Sequence, residues 1–177
     1  MEELLEILKY TLPSIVLVVA VYLILNSFFA SERKQAQMKA LEASRKDLLA
    51  LRLQAYERLA VFLERNHPSS LVPRTNDHGL TVREYQHILI DSINTEFEHN
   101  LSQQLYVSQE AWASVRFVKD NTIKVINLVA TSTEQQLPST ELAKKLLDYY
   151  LQSDQGIPAQ KALNVINMEV KKLFGNL

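Results

Sequence analysis

The sequence predicts an all-α fold: an N-terminal transmembrane helix that continues into an antiparallel bundle of about five helices. Three observations carry the prediction. Twenty residues, Thr11 to Ala30, run without a charge. Glycine and proline number only three and five, and those beyond the first thirty residues fall at a few discrete breaks. Between the breaks, apolar residues recur every three to four positions, and no alternating strand pattern competes. A chain of 177 residues has room for an anchor and one domain of ordinary size.

The apolar run comes first. At about 1.5 Å rise per residue, "TLPSIVLVVAVYLILNSFFA" spans roughly 30 Å, the thickness of a bilayer hydrocarbon core. Pro13 is expected in its first turn, where a missing N–H costs little. The preceding "MEELLEILKY" is acidic, with Glu2, Glu3 and Glu6, whereas a secretory signal begins with a positive region. Phe28 would sit three residues ahead of a cleavage after Ala30, which also disfavours processing. An uncleaved anchor is expected over residues 1–30. Lys9 stands alone before the run, while Arg33, Lys34, Lys39, Arg45 and Lys46 follow it. The positive-inside rule then places the N-terminus outside and residues 31–177 in the cytoplasm.

No breaker lies between Pro13 and Pro68, so one helix is expected to run on to about Asn66. Residues 31–50 form a stalk and 51–177 a packed domain. The segment 67–80, "HPSSLVPRTNDHGL", reads as a loop because of its two prolines and glycine. A second helix starts at Thr81, whose spacing to Glu84 is that of a capping box. Its apolar stripe is Val82, Tyr85, Leu89, Ile93, Phe97 and Leu101. Ser108 caps a third helix with Trp112, Val115, Thr122, Ile126 and Val129 facing inward. Ser139 or Thr140 caps a fourth, running to about Ser153. Gly156 and Pro158 set off a fifth, with Ala162, Leu163, Ile166, Val170 and Leu173 on one side and Gly175 at its end.

Composition excludes several chemistries. Without cysteine there is no disulfide, thiolate metal site or cysteine nucleophile. Setting aside Lys9, Glu2, Glu3 and Glu6 leaves 18 basic against 17 acidic residues beyond position 30. That balance lacks the basic excess that nucleic-acid phosphates require. No phosphate-cradling glycine loop, nucleophile elbow or catalytic triad is present, so no enzyme and no cofactor is expected.

Polar residues on the apolar faces form the one candidate site. Glu96, Asn100 and Gln103 fall on the inward side of the second helix at about 100° per residue, and Glu98 points away. In the first helix, Leu41, Leu48, Ala55 and Phe62 repeat every seven residues, while the companion position reads Met38, Arg45, Arg52, Leu59. Two arginines therefore interrupt a coiled-coil seam. If the first two helices form a hairpin in which Asn66 faces Thr81, Glu96 lies opposite residue 51, one step from Arg52, with Gln103 near Arg45. A buried polar cluster of Arg45, Arg52, Glu96, Asn100 and Gln103 follows, because a buried carboxylate needs a partner. The chain also carries Glu64-x-x-His67, Glu84-x-x-His87 and Glu96-x-x-His99. Di-iron bundles use two such motifs on facing helices; here the second and third share one helix, so no metal site is expected. His67, Asp77 and His78 share a loop where nothing else converges. Trp112, Tyr149 and Tyr150 read as core or interface residues.

Two runs, "LRLQAYERLAVFLER" (51–65) with "P..LV.R" (68–74), and "EFEHNLSQQLYVS" (96–108) with Ala111-Trp112, resemble a bacterial family without assigned function. Its members have one N-terminal membrane helix and a helical cytoplasmic region. The resemblance implies that architecture and a bacterial inner membrane, and carries over no activity, ligand or catalytic residue. The function expected from all this is a membrane-anchored module that binds or scaffolds another protein on the cytoplasmic face. The alternative is a ligand- or metal-binding bundle centred on Glu96, His99, Asn100 and Arg52. Self-association through the stalk is expected to be weak at most, since Arg45 would face its own copy.

Overall fold

Sparse breakers and strong helix formers give long helices. A computed structural model describes residues 2–76, 79–152 and 158–175. Among these residues there are six α-helices and no strand: α1 (Glu2–Arg65), α2 (Pro68–Thr75), α3 (Val82–Glu98), α4 (Gln109–Thr131), α5 (Ser139–Gln152) and α6 (Pro158–Gly175). A 3-10 turn, Leu101–Leu105, follows α3. The chain divides into two compact units, Met1–Leu48 and Leu49–Leu177.

In the first unit, α1 holds one stretch long and apolar enough to cross a membrane, and none of it is buried. Leu17 and Ile24 are each 66% exposed. Because α1 already begins at Glu2, Pro13 lies inside the helix and not in its first turn. The residues ahead of it, rich in Leu and Glu, are good helix formers and carry the helix back past the proline. Met38, Leu41, Arg45 and Leu48, the early half of the heptad seam, are exposed.

The second unit is built on α4, whose two halves belong to two apolar clusters. Its first half packs Ala111, Val115 and Val118 with Tyr56, Leu59, Phe62 and Leu63 of α1, Phe97 of α3, and Ala159, Ala162 and Ile166 of α6. Its second half packs Val125, Ile126, Val129 and Ala130 with α2, α3 and α5 through Leu71, Tyr85, Leu89, Ile93, Leu142 and Leu146. The pairing of α3 with α4 is antiparallel: Gln86 bonds Asn127 and Phe97 stacks on Trp112. By contrast, α1 and α3 meet only near their C-terminal ends, Phe62 against Phe97 and Arg65 against Glu96.

The caps follow the sequence. Thr81 and Glu84 form the reciprocal capping box, and Ser108 accepts the Ala111 N–H at the start of α4. Of the expected α3 stripe, Val82 to Phe97 is buried, but Leu101 is not, because the α-helix ends at Glu98 and the following turn rotates Leu101 outward. Ser139 and Thr140 lie inside α5 and do not precede it. A short antiparallel bridge between Thr81 and Pro138 fixes that end, with Val82 N–H bonding Leu137 O and Ser139 N–H bonding Leu80 O, each at 2.8 Å. The expected Ser153 and Gly156 lie outside the described residues.

The segment expected to be a loop contains a helix. Pro68 stands at the first position of α2, where its missing N–H is no loss, and His67 caps it by accepting the Ser69 N–H. Leu71 and Val72 are buried, so packing holds this short helix. Asp77 and His78 lie outside the described residues.

Candidate functional site

The expected polar cluster divides into separate arrangements. Glu96 pairs with Arg65 through Nε–Oε1 at 2.5 Å and with Arg74 through Nη2–Oε2 at 3.4 Å. Arg65 lies fourteen positions beyond residue 51, where the expected hairpin put the partner. With α2 between them, α1 and α3 form no hairpin; α3 packs on α2, α4 and α5, and only its C-terminal end reaches the end of α1. The Arg65 side chain is 51% exposed and that of Glu96 only 18%, which makes this a rim pair and not a buried one.

Arg52, half-buried, donates from Nε to the carbonyl of Tyr106 at 3.1 Å. Asn100 is buried and donates to the Glu96 carbonyl at 2.7 Å, closing the end of α3. Gln103 is buried and bonds Ser102 Oγ at 3.1 Å. Arg45 belongs to the other unit and is exposed. His99 is the exposed C-cap of α3. Arg52, Glu96, His99 and Asn100 therefore do not make one binding site. Among the described residues, no three of His, Asp and Glu converge as metal ligands.

Sequence reasoning missed a second polar cluster. Tyr56 Oη and Ser108 Oγ both donate to the Glu169 carboxylate, one to each oxygen. The three side chains tie α1, the start of α4 and α6 together. Burial raises the Tyr56 pKa above the ordinary phenol value, its hydrogen bond to Glu169 adds to the rise, and neighbouring Arg52 opposes it. Tyr56 stands four residues after Arg52, so a common face was legible, but Glu169 lies 113 positions away. Nothing local in the sequence points to it.

A third arrangement surrounds a cavity of about 10 Å³ where α1, α2, α4, α5 and α6 meet. Asn66, His67, Asn121, Thr122 and Tyr150 supply its polar lining. Asn66 Oδ1, His67 Nε2 and Tyr150 Oη are buried without a hydrogen bond of good geometry among the described residues. Burial raises the Tyr150 pKa, and the nearby Thr122 hydroxyl opposes the rise. This volume is far below the roughly 300–1,000 Å³ of small-molecule sites, so it cannot take a cofactor. Elsewhere in the domain the aromatic residues are packing groups: Trp112 stacks on Phe97 at 5.2 Å, and Lys119 Nζ lies 5.1 Å from the Phe97 ring centre.

A model of a family of unknown function, DUF7935, matches residues 2–173. The chain belongs to this family. The match takes in both compact units, so apolar stretch and helical domain belong to one family unit. No curated protein and no solved structure matches the chain. DUF7935 carries no assigned reaction.

Proposed function

We propose that this DUF7935 protein is a single-pass membrane protein whose helical domain binds or scaffolds another protein on the cytoplasmic face of a bacterial inner membrane. One observation carries the reading: among the described residues, the long apolar stretch of α1 is exposed. Between Ile15 and Phe29, twelve large apolar side chains are exposed. At about 1.5–3 kcal/mol for each fully buried side chain, leaving them in water forgoes up to roughly 18–36 kcal/mol. A bilayer supplies the apolar surroundings that water does not. The Lys/Arg bias after residue 30 supports a cytoplasmic domain.

Support for protein binding comes from the domain surface. Phe117 and Leu128 are both exposed and lie eleven residues apart, on one line along α4. Exposed aromatic anchors of this kind carry binding energy in protein interfaces. The balanced charge beyond residue 30 lacks the basic excess that nucleic acid needs, which favours a protein as the partner class. Reporter fusions after Leu177 test the orientation: a cytoplasm-dependent reporter works and an export-dependent one fails. Crosslinking in intact membranes tests the partner, with Phe117→Asp expected to remove the specific crosslinked species. An active export-dependent reporter, or crosslinks unchanged by that substitution, overturns the respective half of the reading.

A further inference from the structure

The small cavity at the meeting point of five helices has a donor and acceptor pattern that selects its occupant. Asn66 Nδ2 donates to the Phe62 carbonyl at 2.8 Å. That bond fixes the amide, so the group left facing the cavity without a partner is the acceptor Oδ1. His67 is fixed by the other side of its ring. The Ser69 backbone N–H can only donate, and it reaches His67 Nδ1 at 3.3 Å, with Ser69 Oγ at 2.7 Å from the same nitrogen. Nδ1 is therefore an acceptor, the neutral ring carries its proton on Nε2, and the unpartnered atom is a donor. Tyr150 Oη, the third atom without a hydrogen bond of good geometry among the described residues, lies near the Thr122 hydroxyl and can act either way.

A bare cation needs acceptors only, and an anion needs donors only. One fixed acceptor, one fixed donor and one ambivalent hydroxyl suit neither. They suit a molecule that donates and accepts at once. The cavity, about 10 Å³, is small and has room for a water molecule. Asn66 is 3% exposed, so the site is sealed on that side.

We propose that this cavity is a binding site for one structural water, which accepts from His67 Nε2–H, donates to Asn66 Oδ1 and bonds Tyr150 Oη. Three bonds are the usual complement of a buried water. The water joins the α1–α2 corner to α5, and it satisfies the polar groups that the N-cap of α2 leaves turned inward. The inference is independent of membrane anchoring and of any partner.

The test uses the full chain, ¹⁵N-labelled in detergent micelles. Long-range nitrogen–proton correlation should show His67 protonated on Nε2, and an Overhauser contact should link that proton to a long-lived water. Tyr150→Phe should weaken this contact severalfold, because one of three bonds is lost, whereas Tyr149→Phe, outside the cavity, should leave it unchanged. A folded protein with His67 protonated on Nδ1, or with no water contact at Nε2–H, overturns the proposal. So does an unchanged contact in Tyr150→Phe, or a His67 signal that shifts on titration with ammonium or sodium, which would mark a cation site. Should Tyr150→Phe fail to fold, the unsubstituted chain alone decides between a wet and a dry cavity.

Discussion

Two stretches of α1 have similar side chains and opposite surroundings. From Ile15 to Phe29 the apolar residues are exposed all round; from Ala55 to Leu63, Ala55, Tyr56, Leu59, Phe62 and Leu63 are buried on one side of the helix while Glu57, Arg58 and Val61 face out. The periodicity differs accordingly. The second stretch is apolar at three- and four-residue spacing, which needs a protein surface on one face. The first is apolar at nearly every position, which needs an apolar medium on all faces. Composition alone does not separate the two; the period does.

The strongest way to break this comparison is to remove the first stretch. A chain lacking residues 1–30 should pass from the membrane fraction to the soluble fraction, because nothing else exposed approaches that apolar area. Its helical content and unfolding midpoint for the domain should be retained. Recovery of the shortened chain in washed membranes would assign anchoring to the domain surface instead.

The same substitution placed in the two stretches sharpens it. Leu59 is fully buried in the cluster around α4, so Leu59→Ala should cost about 2–5 kcal/mol by denaturant unfolding. Leu23, 59% exposed, should tolerate Leu23→Ala within about 0.5 kcal/mol in the same assay in micelles. Equal losses would show that the apolar stretch packs on protein after all.

Much of the packed region was legible because its signals are local. Val82, Tyr85, Leu89, Ile93 and Phe97 announce their face by spacing alone, and Thr81, Glu84 and Ser108 announce helix starts by side-chain chemistry. Three features were not. The prolines around α2 read as breakers, although Pro68 stands where a helix accepts proline and His67 is not among the usual capping residues. Missing α2 implied an α1–α3 hairpin that does not form, which gave Glu96 the wrong arginine. Tyr56 and Ser108 find Glu169 only through tertiary packing, which no period encodes.

Alkaline pH probes the buried side from another direction. Burial is the first cause that raises the pKa of Tyr56, Tyr85 and Tyr150 above the ordinary phenol value of about 10. The folded state thus favours the neutral phenols. Their contribution to stability is full below the unfolded value and is lost as pH rises through the folded values. Urea midpoints should fall as pH increases above about 10, and Tyr56→Phe should make that fall shallower. A midpoint that rises over this range would contradict the burial of these rings.

A smaller effect is expected where the helix end meets solvent. Thr81→Ala removes the acceptor for the Glu84 N–H and half of the capping box, at a cost of about 1 kcal/mol. Backbone and then side-chain bonds from Thr81 lower the Glu84 pKa, so this carboxylate stabilises the fold at pH above its unfolded value and loses that role as pH falls. The cost of Thr81→Ala should therefore shrink in acid. A cost independent of pH would separate the cap from the Glu84 charge.

The smallest effect concerns Glu96. Had it been buried against Arg52, removing either charge would have stranded the other, at a cost of about 3–5 kcal/mol. Its partners are instead Arg65, half exposed, and Arg74, a third exposed, and solvent screens both pairs. Glu96→Gln should cost about 0–1 kcal/mol, and less as salt is raised. A double-mutant cycle of Glu96→Gln with Arg65→Met should return a small coupling, while the cycle with Arg52→Met should return none, because Arg52 spends its Nε–H on the Tyr106 carbonyl. A coupling of several kcal/mol between Arg52 and Glu96 would restore the register in which Asn66 faces Thr81, and with it a buried charge pair at the end of α3. Additive losses for Arg52 and Glu96, with salt-sensitive coupling confined to Arg65, keep the charge at the rim and leave the packed stretch of α1 apolar.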